Sequence, residues 1–173
     1  DAANKRTDRY GGSIENRARL LMEVVEAVTG AWEPGRVGIR LSPWTGFASC
    51  RDSDPPAIFG HVLDQLAPMG LAFLHLVEGE TGGERAPDAQ VAALKARWPG
   101  VYVANNGYDG TLAARRVEAG LADAVAFGRP FIANPDLVAR LRLGAPLNTP
   151  DQATFYGGGA AGYTDYPALA QAA

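Results

Sequence analysis

The chain has 173 residues, 47% apolar and 20% charged, with a net charge of −3, a composition that fits one globular domain and excludes a disordered chain. The mild charge balance and the lack of any long run of like charge argue against nucleic acid or an anionic membrane as a partner. No apolar run approaches the ~20 residues that span a bilayer, and the opening Asp-Ala-Ala-Asn-Lys-Arg is too polar for a secretory signal.

The first predicted element is a helix over residues 13–29. Ile14, Ala18, Leu21, Val25 and Val28 fall on one face of it, Ser13 is a candidate N-cap, and Glu15 lies in the first turn. Pro34-Gly35 then makes a turn. The β-rich run Val37-Gly-Ile-Arg-Leu41 follows, and Asp54-Pro55-Pro56 opens a second helix that runs to Leu66. Ala72-Phe-Leu-His-Leu-Val77 reads as the second strand, and a helix begins at Pro87-Asp88 and ends near Trp98-Pro99. Val101-Tyr-Val-Ala104 is the third strand, residues 110–120 a helix closed by Gly120, and Asp123-Ala-Val-Ala-Phe127 the fourth strand. Asn134-Pro135-Asp136 is expected to cap a last helix ending at Leu143. Residues 148–173, rich in Gly and Tyr, read as an ordered loop or tail.

Strands joined by single helices must pair in parallel, because each helix is a crossover. The unit spacing of about 30 residues fits one β/α unit each. Two architectures compete, an open doubly wound sheet and a piece of a (β/α)8 barrel. No Gly-x-Gly-x-x-Gly follows a strand and opens a helix, so the dinucleotide fingerprint is missing. A barrel needs eight strands and typically ~250 residues. The fold expected here is α/β, the C-terminal half of a (β/α)8 TIM barrel with four β/α units.

Barrel chemistry sits at the C-terminal strand ends, with phosphate often bound after the last two strands. The ends here are Arg40-Leu-Ser-Pro-Trp44, His75-Leu-Val-Glu78, Asn105-Asn106-Gly107 and Phe127-Gly128-Arg129-Pro130. Gly107 and Gly128 let backbone N–H groups approach a phosphate, and Arg129 offers it a charged fork. The bland alternative is that both glycines merely end strands and Arg129 pairs with an acid. Arg40, inside an apolar strand, needs an anion, a ring acceptor or a structural ion pair. His75 reads as a hydrogen-bonded core histidine, His61 as surface or packing, and Glu78 has no evident partner. Arg17/Arg19 and Arg115/Arg116 read as solvated helix faces. The single cysteine, Cys50, can form no intrachain disulfide, and no Cys/His cluster points to zinc or another metal. That usage fits a cytoplasmic protein.

Several long motifs also carry a family resemblance. Asn4-Lys-Arg-Thr-Asp-Arg-Tyr-Gly-Gly-Ser13 with Glu15-Asn16-Arg17 resembles the loop and helix after the fourth strand of Old Yellow Enzyme-type flavoproteins. Val37-Gly-Ile-Arg-Leu-Ser-Pro43 resembles their fifth strand, and Phe127-Gly-Arg-Pro-Phe-Ile-Ala-Asn-Pro-Asp136 their eighth. The tail segments Thr154-Phe-Tyr156 and Gly162-Tyr-Thr-Asp-Tyr-Pro167 resemble the branch with pentaerythritol tetranitrate reductase-like and bacterial ene-reductase members.

The resemblance implies an FMN-dependent oxidoreductase in which NADPH or NADH reduces the flavin, which then reduces an activated C=C bond in an enone, enal or nitroalkene. It implies that Arg40 faces the flavin N1/C2=O edge, and that Asn106, Gly107, Gly128 and Arg129 hold the FMN phosphate. Phe47, Trp44 and Tyr156 would line the substrate pocket, with the 148–173 tail packed near it. It places no proton donor in this half. The donor tyrosine and the paired residues for the substrate carbonyl would come from a complementary N-terminal half-barrel, as a partner chain or segment, and Asp1 falls where an exposed loop would be cut. Two other readings stand beside this one. One is a non-catalytic flavin- or phosphate-binding half-barrel, dimerised over its open edges. The other is a phosphate-binding isomerase or aldolase, which Lys5 and Lys95 disfavour because neither lies in a strand.

Overall fold

The β/α alternation read from the sequence is present in the computed structural model, which describes residues 1–157 and 159–169. Residue 158 and residues 170–173 of the expected tail lie outside the described residues. The helices are α1 (Ile14–Ala31), α2 (Pro55–Leu66), α3 (Asp88–Lys95), α4 (Gly110–Glu118), α5 (Arg129–Ala133) and α6 (Leu137–Leu143). The strands are β1 (Gly38–Leu41), β2 (Phe73–Val77), β3 (Val101–Asn105) and β4 (Ala124–Ala126). Among the described residues no helix is long and apolar enough to cross a membrane.

The chain divides into two compact units, Asp1–Ala126 and Phe127–Ala173. In the first, the strands form one parallel sheet in the order β1-β2-β3-β4. This is the half-barrel order, each strand beside its predecessor, rather than the reversal of a doubly wound sheet. Side chains alternate across it. Leu74, Leu76, Tyr102 and Ala104 are buried and form the core with Val62, Leu63 and Leu66 of α2 and Val91 and Leu94 of α3. The opposite face is more open, with Phe73 39% and Val101 49% exposed.

Local chemistry explains the element ends. Ser13 accepts a hydrogen bond from the Asn16 N–H, Asp54 from Ala57, and Asp109 from Leu112, so three helices begin on oxygen caps. The helix α3 stops at Lys95, short of the expected end, because Trp98 is buried and its indole N–H donates to the Val101 carbonyl at 2.9 Å. Arg17 is not a solvated residue of α1: its guanidinium is 2.6 Å from Asp52, and both side chains are largely buried. Arg116 is likewise tied to Asp88 rather than free in solvent.

The second unit departs further from expectation. Residues 129–133 form the short helix α5 where a strand end alone was expected. Asn134 does not cap α6. Its side-chain amide donates to the Pro130 carbonyl at 2.7 Å and accepts from the Asn148 N–H at 2.7 Å. Asp136 is the N-cap residue, but its carboxylate serves Arg140 at 2.7 Å and the Leu169 N–H at 2.7 Å instead. Arg140, 5% exposed, also donates to the Pro167 carbonyl at 2.8 Å, as does Asn148. These bonds tie Asn148, Pro167 and Leu169 to α6 and the residues just before it.

Candidate functional site

Parallel strands bring their C-terminal ends to one edge of the sheet, so the first unit gathers Arg40, His75 and Asn105 there. Arg40 and His75 are register partners on β1 and β2. The guanidinium Nη1 lies 2.7 Å from His75 Nε2, and Nη2 donates to Asn105 Oδ1 at 3.2 Å. Arg40 is exposed on the open face and pairs with no carboxylate among the described residues. His75 is hydrogen-bonded as expected, yet half-buried on the same face rather than in the core. Burial and then the Arg40 cation hold its pKa below the ordinary value of 6.5. The neutral ring accepts from Arg40 and leaves the positive charge at the strand ends on the guanidinium.

The turn after β3 is the second feature. Asn106 and Gly107 both adopt left-handed backbone, at φ 96° and 67°. Glycine takes that conformation freely, whereas asparagine does so at a cost. Among the described residues the backbone N–H groups of Asn106, Gly107 and Tyr108 donate to no protein acceptor. Consecutive free donors in a left-handed turn form a concavity suited to an anion.

Glu78, which had no evident partner in the sequence, ends β2 in a buried cluster. It is 2% exposed, and its two oxygens accept from the hydroxyls of Tyr102 and Tyr108, each at 2.6 Å. Arg85 Nη2 lies 2.8 Å from the same carboxylate, an ion pair rather than an aligned hydrogen bond. Burial, reinforced by Glu78, pushes the Tyr108 hydroxyl up to about 12 and raises Tyr102 further. Both phenols therefore stay protonated donors. The signal available in the sequence was one of spacing: the tyrosines lie 24 and 30 positions after Glu78, one β/α unit on.

The candidate pocket aromatics differ in their freedom. Phe47 is 75% exposed in the loop after β1. Trp44, in the same loop, is half-buried, and its indole N–H donates to Gln90 at 3.0 Å. That loop is also held by the Glu80 carboxylate, which accepts from the Gly46 N–H at 3.0 Å. In the second unit, a Cβ built on Gly128 would meet nothing within 4 Å. Arg129 is exposed and, among the described residues, pairs with no acid. Tyr156 is 95% exposed, with Phe155 edge-on to it at 6.3 Å between ring centroids.

The chain is similar to known proteins in sequence and in fold. The family model described as NADH:flavin oxidoreductase / NADH oxidase family matches residues 1–148. A Leishmania infantum protein named "probable flavin mononucleotide-dependent alkene reductase" is 46% identical over 96% of this chain and 45% of its own length. The 12-oxophytodienoate reductase 1 of Oryza sativa subsp. japonica is 44% identical over 98% of the chain and 46% of its own. Among solved structures, morphinone reductase in complex with tetrahydroNAD has a TM-score of 0.89 at 48% identity, covering 98% of this chain and 46% of that one. The old yellow enzyme from Trypanosoma cruzi has a TM-score of 0.86 at 38% identity, covering 94% and 44%. The chain thus spans about half the length of the relatives it matches. At these identities over nearly its whole length, the chain belongs to the NADH:flavin oxidoreductase / NADH oxidase family.

Proposed function

We propose that this chain is the cofactor-anchoring half of an FMN-dependent oxidoreductase that reduces activated C=C bonds with hydride from NADPH or NADH. The observation that carries the reading is the strand-end edge of the first unit, where a cation paired with no acid among the described residues sits beside a left-handed turn whose N–H groups meet no protein acceptor among them. One relative is named for flavin mononucleotide and alkene reduction, and another is solved with a nicotinamide analogue.

The residues fit FMN, whose chemistry needs an anion site for its phosphate and a cation near a ring edge that gathers negative charge on reduction. In the first unit we assign Arg40 to the ring edge at N1/C2=O, and Asn106 and Gly107 to the phosphate. In the second unit we assign Gly128 and Arg129 to the phosphate, where the open space over Gly128 admits close approach. Phe47, Trp44 and Tyr156 are assigned to the substrate pocket, with Trp44 already anchored by Gln90. Bound FMN would carry hydride from the nicotinamide to the β-carbon of the alkene. His75, kept neutral, orients Arg40 by accepting its N–H. We assign the donated proton to a group outside this half, in a complementary N-terminal half-barrel, and we place the protein in the cytoplasm, where Cys50 stays reduced.

The test is to purify the full-length protein under native conditions, record its visible spectrum, identify the released cofactor, and follow NADPH or NADH oxidation anaerobically with 2-cyclohexenone. FMN absorption and enone-dependent oxidation of the nicotinamide are expected. Protein that takes up no flavin at any added FMN concentration would sink the reading.

A further inference from the structure

The Glu78 cluster brackets the Asn106-Gly107 turn from both sides. Tyr102 lies in β3 ahead of the turn, and Tyr108 follows it directly. Both hydroxyls converge on one buried carboxylate at 2.6 Å. Arg85 completes the clamp from the loop after β2. Its Nη1 donates to the Asn106 carbonyl at 3.0 Å, and its guanidinium stacks on the Tyr108 ring at 4.4 Å. Its Cγ lies 3.1 Å from where a Cβ on Gly107 would stand. The Asn106 side chain accepts from the Gly82 N–H at 3.2 Å, tying the turn to the same loop.

A non-glycine residue in left-handed backbone persists only where its surroundings fix it. Here the fixing group carries charge, is largely buried, and holds the carbonyl side of the turn whose N–H side is free. We propose that Glu78 and Arg85 are positioning residues for the FMN phosphate, the carboxylate fixing Arg85 and both tyrosines, and Arg85 fixing the peptide that presents the Asn106, Gly107 and Tyr108 N–H groups. This inference rests on the reading of that turn as a phosphate site.

Positioning and simple electrostatics predict opposite signs. Replacing Glu78 by Gln removes a negative charge near the turn, which by Coulomb attraction alone would tighten a phosphate. If Glu78 holds the turn, the same change weakens it. Riboflavin, which lacks the phosphate, separates either effect from general damage to the flavin pocket.

The experiment measures FMN and riboflavin dissociation constants, by quenching of flavin fluorescence, for the full-length protein and for Glu78→Gln, Arg85→Met, Tyr108→Phe and Arg129→Ala. FMN affinity is expected to fall by about 10–100-fold in Glu78→Gln and Arg85→Met, the range for a lost charge-assisted hydrogen bond, with riboflavin affinity unchanged. Tyr108→Phe removes one hydroxyl with little risk to folding, and should move FMN in the same direction by a smaller factor. Tighter FMN binding in Glu78→Gln, or equal losses for both flavins across the series, overturns the proposal. If Arg129→Ala abolishes the preference for FMN while the Glu78 and Arg85 variants keep it, the positioning role falls and the phosphate site stands. If the unmodified protein binds the two flavins equally, the phosphate site itself is wrong.

Discussion

Arg40 and His75 meet because parallel pairing puts them at one register position on adjacent strands, and their charges are linked by that contact. Burial and the Arg40 cation depress the His75 pKa below 6.5, so the folded chain binds fewer protons here than the unfolded one. The stability linked to His75 is therefore fully present above about pH 6.5 and lost as pH falls through the depressed value. An NMR titration should place the His75 imidazole below 6.5, and His75→Asn should flatten the acid limb of the stability curve. A ring that titrates above 6.5 would contradict the contact with Arg40. In the full-length protein, Arg40→Met should slow flavin reduction by nicotinamide about 10²-fold, by analogy with removal of one donor from a developing negative charge, as followed by anaerobic stopped-flow absorbance. An unchanged rate would mean that the cation faces something other than the flavin ring. The candidate residues at strand ends were legible because barrels put chemistry there. Glu78 was not, since a lone acid in a sequence shows none of the donors that a neighbouring strand brings to it.

At the scale of elements, the apolar rhythm of α1 and the Asp54-Pro-Pro start of α2 were readable because each rests on contacts within one or two turns. The helix α5 was not, as five residues carry no period and Pro130 marks its start as readily as a loop. Asp136 of the expected Asn134-Pro135-Asp136 cap is the N-cap residue, and the different role of Asn134 was hidden for a similar reason. Asn is a frequent cap, but here its amide bridges residues 130 and 148, a tertiary contact that local sequence does not display. Caps that are local should behave as such. Asp54→Ala is expected to cost about 0.5–2 kcal/mol of stability in a denaturant titration, while leaving the preference for FMN over riboflavin intact. Loss of that preference would show that α2 is coupled to the turn after β3.

For the whole molecule, the first unit leaves apolar surface exposed beside its edge strand. Leu20 and Val24 of α1 are 61% and 52% exposed, and with Val28, Gly38 and Ile39 they line an apolar groove of about 490 Å³ beside β1. Monomeric surfaces seldom leave such a groove open without a partner. We expect the complementary half to cover it. Leu20→Asp should then leave this chain alone unaffected, yet destabilise the full barrel by about 3 kcal/mol or more, the cost of an unpaired charge in an apolar contact. Thermal melts of both would show equal shifts if the groove stays exposed. The β/α repeat and the missing dinucleotide fingerprint made the half-barrel legible in the sequence. The groove was not, because Leu20 and Val24 lie off the stripe of Ile14, Ala18, Leu21, Val25 and Val28, and local sequence does not show that β1 is an edge strand among the described residues.

We propose above that this half anchors FMN through its phosphate. Titrating the full-length apoprotein with FMN and with riboflavin tests it most directly. FMN should bind more tightly by at least about 100-fold, the worth of two or more charge-assisted contacts. Equal affinities for the two flavins would contradict the account.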